Sequence, residues 1–124
     1  MVFVFGGAYQ GMEEYAREAC GAAEICSVDE NTREIDFSCG AVCGLDRFVL
    51  GCVRRGEDAR AYFEACREEW KDCVLIGVDF SCGVVPMDAQ LRMWRDENGR
   101  LNNLLSGCAD RVIRMFCGIP QVIK

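Results

Sequence analysis

The residues able to do chemistry begin almost at the first position. VFVFGGAYQGMEE carries Gly6 and Gly11 at the separation of a phosphate-binding loop, G-x-x-x-x-G-K-[ST], with an apolar run before it and a helical pattern after it. Backbone N–H groups at such a turn, together with the helix dipole, favour an anion. Gly6, Gly7, Ala8 and Gly11 therefore form the candidate phosphate cradle. The motif then demands Lys and Ser or Thr, but Met12 and Glu13 stand there. Met12 supplies neither charge nor donor, and Glu13 brings a negative charge to where phosphates would lie. Together these changes cost on the order of a few kcal/mol. As a plain helix residue Glu13 is ordinary, because an acid in the first turn is stabilising. The second candidate is Asp79, which ends the apolar run CVLIGVD, where an acid can help hold Mg²⁺. Taken as a ligand site, the loop and Asp79 would bind GTP or ATP with Mg²⁺. Taken as structure alone, they are a turn and a strand end.

Composition excludes several other chemistries. The chain of 124 residues has no histidine, which removes every mechanism needing an imidazole base, nucleophile or metal ligand. A net charge of −6, with two lysines and twelve scattered arginines, argues against a nucleic-acid partner. No stretch is long enough to span a membrane, and MVFVFGG lacks the basic start and long apolar core of a signal peptide. A cytoplasmic setting is the expectation. The ten cysteines are then expected as reduced thiols. No C-x-x-C pair occurs, so no structural metal is expected. Cys52, Cys66, Cys73 and Cys108 fall on apolar positions, where Cys packs as a small hydrophobe.

The positioning elements follow from periodicity. Val2 to Phe5 reads as a buried strand, and Met12, Tyr15, Ala16 and Ala19 recur at helical spacing. Ala23 to Val28 reads as a second strand, and VDENTREID as a loop. Leu45, Phe48, Val49, Cys52 and Val53 line one helix, closed by Arg54, Arg55 and Gly56. Ala59, Tyr62, Phe63, Cys66 and Trp70 line another. DCVLIGVD is a buried strand and SCGVVPMD a loop in which Pro86 and Asp88 start a long helix through Cys108. VIRMF and the end of GIPQVIK close the chain as strands. Strands alternating with helices predict an α/β fold with a mainly parallel sheet, one domain over residues 1–124.

The C-terminal third carries a resemblance. Gly83 to Pro86, Arg95-Asp96, Gly99-Arg100, Asn102 and Gly118-Ile119-Pro120 fall in the order G-[IV]-V-P, R-D-x-x-G-R-x-N and G-[IL]-P, and Gly6-Gly7-Ala8 with Gly11 matches an opening G-G-A-R-S-G-K-S. In these motifs the chain resembles the adenosylcobinamide kinase / adenosylcobinamide-phosphate guanylyltransferase family. The resemblance implies a three-layer P-loop NTPase-like fold, a nucleotide or corrinoid ligand, a role in cobalamin assembly and a homo-oligomer, a trimer in the family. It adds Arg100 and Asn102 to the ligand-contacting candidates, with helix-surface or subunit contacts as their plainer role. The departures bear on activity. Met12 and Glu13 replace the Lys and Ser, Tyr9 and Gln10 replace an Arg and a Ser, and Asp79 alone stands in for an Asn-Glu pair. The family passes its guanylyl group through a histidine, which this chain lacks. The expectation is a non-catalytic ligand-binding or regulatory member. The alternatives are a nucleotide-binding kinase with an atypical loop and a structural subunit of a mixed oligomer.

Overall fold

A computed structural model describes residues 1–124. The chain runs β1 (Val2–Gly6), α1 (Met12–Ala19), β2 (Cys26–Ser27), a 3₁₀ turn (Phe37–Cys39), β3 (Ala41–Cys43), α2 (Leu45–Arg55), α3 (Ala59–Ala65), α4 (Arg67–Trp70), β4 (Val74–Val78), α5 (Ala89–Cys108), β5 (Arg111–Phe116) and β6 (Ile119–Val122). One six-stranded sheet has the order β2-β3-β4-β1-β5-β6. All its pairings are parallel except β5 with β6. β1 is central, with Val4 in register with Ile76 of β4 on one side and Ile113 of β5 on the other.

A strand buried on both faces sends alternate residues into two cores. Phe3 and Leu75 pack with Leu45, Phe48, Phe63, Leu101 and Leu105, the inward faces of α2, α3 and α5. Val4 and Ile76 pack on the other face with Met12 and Ala16 of α1. The result is the expected three-layer α/β arrangement. Asp88 caps α5 as its spacing predicts, its carboxylate accepting the Leu91 N–H at 3.0 Å.

Four expectations change. The strand expected over residues 23–28 shrinks to Cys26–Ser27, because its only neighbour, β3, is itself three residues long. β3, in the segment FSCGAVC, is an additional strand. The helix expected from Ala59 to Trp70 breaks at Cys66, letting Trp70 turn into the core and donate its indole N–H to the Phe63 carbonyl at 2.9 Å. The cysteines are also not all thiols. Pairing of β2 with β3 brings Cys26 beside Cys39, with a Cα–Cα distance of 6.2 Å, and the two form a disulfide. The other eight are unbridged. Cys52 and Cys73 are buried as expected, while Cys66 and Cys108 are half-buried against the core.

Candidate functional site

The glycine loop leaves β1 and enters α1 through Gly11, whose left-handed backbone (φ 81°) a Cβ would strain. Gly11 gives α1 no side-chain cap, so the first N–H groups of that helix remain available. Gly6 is the buried last residue of β1, and Gly7 follows it. Gln10 fastens the loop to the β5–β6 turn by accepting the Cys117 N–H. Tyr9 is fully exposed.

A cavity of about 520 Å³ opens beside this loop. Its walls are residues 8–14, the end of β3 with the start of α2, and Ile76 and Val78 of β4. Ala8, Gly11, Met12 and Glu13, all candidates from the sequence, line it. Met12 is a core residue, 9% exposed, packed with Val4, Ala16, Cys43, Ile76 and Met115. Glu13 is half-exposed and pairs with Arg17 one turn on, at 3.5 Å.

Three residues that were not candidates from the sequence, Gly44, Asp46 and Arg47, form part of the opposite wall. Gly44, also left-handed (φ 81°), begins α2; a Cβ there would come within 2.2 Å of the Val28 carbonyl oxygen. The start of α2 is thereby brought against the β2 edge. Asp46 and Arg47 then face the loop across the cavity. Arg47 is the one cation in the lining and donates to the Ser27 hydroxyl at 3.2 Å. Its sequence signal was an arginine in the first turn of a helix, the end that disfavours a cation. Burial pushes the Asp46 carboxyl above its usual range, with Arg47 pulling it part of the way back. The Cys43 thiol is raised by burial, and Glu13 raises it further. It is therefore held as a neutral thiol rather than a nucleophilic thiolate.

The lining holds three carboxylates, Glu13, Glu14 and Asp46, against one guanidinium. With an apolar side chain at the lysine position and an acid at the hydroxyl position, these residues do not fit a Mg²⁺–nucleoside triphosphate. The loop lacks the charge that a triphosphate needs.

The remaining candidates lie in a second cavity. Asp79 follows β4, and its backbone N–H donates to the Gly6 carbonyl at 2.8 Å, tying the two strand ends together. Its side chain accepts the Ser81 N–H at 2.8 Å and lines a cavity of about 370 Å³ with Arg100 and Asn102 of α5. The structure thus brings Asp79, Arg100 and Asn102 together, separately from the cavity of the loop. Arg100 pairs with Glu97 at 2.5 Å, and Asn102 donates to the Val78 carbonyl at 3.1 Å. No group of three or more Cys, Asp or Glu residues is placed to hold a metal ion, Asp79 included.

A mostly parallel sheet whose central first strand ends in a glycine loop and a helix defines the P-loop NTPase-like class of α/β fold. Within that class, the sequence model of the cobinamide kinase / cobinamide phosphate guanyltransferase family matches residues 49–123, more than half of the chain. The chain belongs to this family, which links it to cobalamin biosynthesis. The match contains Asp79, Arg100 and Asn102 and begins beyond the glycine loop. No curated protein matches the chain. No helix is long and apolar enough to cross a membrane.

Proposed function

We propose that this chain is a non-catalytic member of its family, retaining the glycine-loop scaffold as a ligand-binding or regulatory protein of cobalamin biosynthesis. The observation that carries this reading is Met12, at the phosphate-neutralising position yet packed in the α1 face of the core, in a cavity lined by three carboxylates. The absence of histidine supports it independently, since family guanylyl transfer needs an acceptor that the chain does not have. On this reading the ligand is a corrinoid rather than a nucleotide. A cytoplasmic setting belongs to the same proposal; the eight unbridged cysteines favour it and the Cys26–Cys39 disulfide opposes it.

A second reading, nucleotide binding at an atypical loop, is favoured by Arg47. Its guanidinium would have to replace the missing lysine, and Asp79 would have to serve as the acid for Mg²⁺. The exposed apolar residues Phe116, Ile119, Val122 and Ile123 support the homo-oligomer, a trimer, that family resemblance suggests.

Thermal unfolding separates these readings. A ligand at 100 times its dissociation constant adds ~2.7 kcal/mol, a rise on the order of 10 °C here. The expected result is stabilisation by cobinamide and none by Mg·GTP or Mg·ATP. A nucleotide shift of that size, abolished by Arg47→Ala, would establish the second reading.

A further inference from the structure

We propose that the Cys26–Cys39 bridge is a reversible redox switch, which sets whether Arg47 is held at the β2 edge or freed toward the glycine-loop cavity. The inference rests on the β2 edge and stands whichever ligand that cavity takes. β2 is two residues long and pairs with β3 alone, Cys26 beside Val42 and Ser27 beside Cys43. It is the outermost strand on its side of the sheet. One backbone bond continues the pairing, from the Val28 N–H to the Cys43 carbonyl at 3.0 Å. A strand that short is marginal by itself. The bridge ties it to Cys39, the end of the 3₁₀ turn that leads into β3. Ser27, next in the chain to Cys26, accepts Arg47 Nη2 at 3.2 Å, and Arg47 is the one cation lining the cavity. Bridge, edge strand and guanidinium are thus linked in series. The loop after β2 has separate anchors in Tyr62 and Arg55, so opening the bridge loosens β2 and leaves that loop in place.

The other cysteines point the same way. Eight of the ten are unbridged, whereas both members of the bridged pair are partly accessible. Where thiols are kept reduced, the disulfides that do occur are transient, catalytic or redox-sensing. Exposed bridges are also the labile ones. The reductant is a dithiol. One of its thiolates attacks a bridge sulfur and displaces the other as a thiolate, and its second thiol resolves the mixed disulfide. Two electrons and two protons pass to the cysteines, and the dithiol leaves as a disulfide. A disulfide oxidant runs the exchange backwards.

The test equilibrates the full ¹⁵N-labelled chain with mixtures of reduced and oxidised dithiothreitol. Mass spectrometry reports the bridge and NMR the structure. The bridge is expected to open and re-form with the chain folded throughout. On reduction, the backbone order parameters of Ser27 and Val28 are expected to fall from about 0.85 to below about 0.6, while those of Val4 and Ile76 hold. The Arg47 Nε–H resonance is expected to shift at the same time. Cys26→Ser, Cys39→Ser should match the reduced protein under either condition, and Ser27→Ala should move the Arg47 resonance with the bridge intact. Order parameters and an Arg47 resonance unchanged by reduction would overturn the proposal, whatever the variants do. So would a bridge that opens only when the chain unfolds.

Discussion

Reducing the Cys26–Cys39 bridge perturbs one defined part of this protein. The bridge closes the segment that carries β2, the loop after it and the 3₁₀ turn, with 13 positions separating its ends. The folded segment has other anchors. Tyr62 accepts the Ile35 N–H at 2.8 Å, and Arg55 donates to the carbonyls of Glu30 at 2.9 Å and Thr32 at 3.3 Å. Reduction therefore acts mainly on the unfolded ensemble, whose freedom the bridge restricts. For a closed loop of this length the chain-entropy relation gives about 3 kcal/mol. In a protein of this size that corresponds to a fall in Tm of about 10 °C. Both cysteines are partly accessible, so a phosphine reductant reaches them without unfolding the chain. The assay is calorimetry of the oxidised protein, the reduced protein and a Cys26→Ser, Cys39→Ser variant, with mass spectrometry reporting the bridge. The variant should melt with the reduced protein, and neither should lose its native spectrum. A common Tm for all three would refute the reasoning.

Gly44→Ala is expected to destabilise by about 3 kcal/mol or more, because it adds left-handed strain to a clash with the Val28 carbonyl; urea unfolding measures it. Asp46→Asn should raise Tm at pH 7. The folded pKa of Asp46 is raised, so its ionisation opposes folding as pH rises, and the gain should vanish below the ordinary aspartate range. Asp110 behaves oppositely. The N-terminal ammonium lowers its pKa, so its stabilising effect is present above the unfolded pKa and lost as pH falls through the folded one. Asp110→Asn should therefore lower Tm at pH 7, by a margin that shrinks as pH falls below the ordinary aspartate range. A thiol reagent should label Cys82 and Cys117 promptly in the native protein, and Cys43, Cys52 and Cys73 only on unfolding.

What the sequence made legible had local physical causes. The apolar runs of β1 and β4 announced buried parallel strands, and Asp88 before an apolar stripe announced α5. β3 and the disulfide were hidden because both arise from pairing between distant segments, and Ala41–Cys43 is too short to show a period. The break at Cys66 was hidden for a similar reason, since Trp70 makes the helix turn only once there is a core to receive it. The loop's lost charge was legible from two letters, Met12 and Glu13. Arg47 was not, because only the folding of α2 against the β2 edge brings it to the glycine loop.

The central claim is that the family scaffold here has lost its phosphoryl chemistry. The direct measurement is incubation of the natural chain with cobinamide, Mg²⁺ and γ-³²P-labelled ATP or GTP, followed by separation of the corrinoid from the nucleotide. The result expected is that label remains in the nucleotide at every enzyme concentration tested. Label transferred to cobinamide in proportion to enzyme, and reduced by Arg47→Ala, would contradict it.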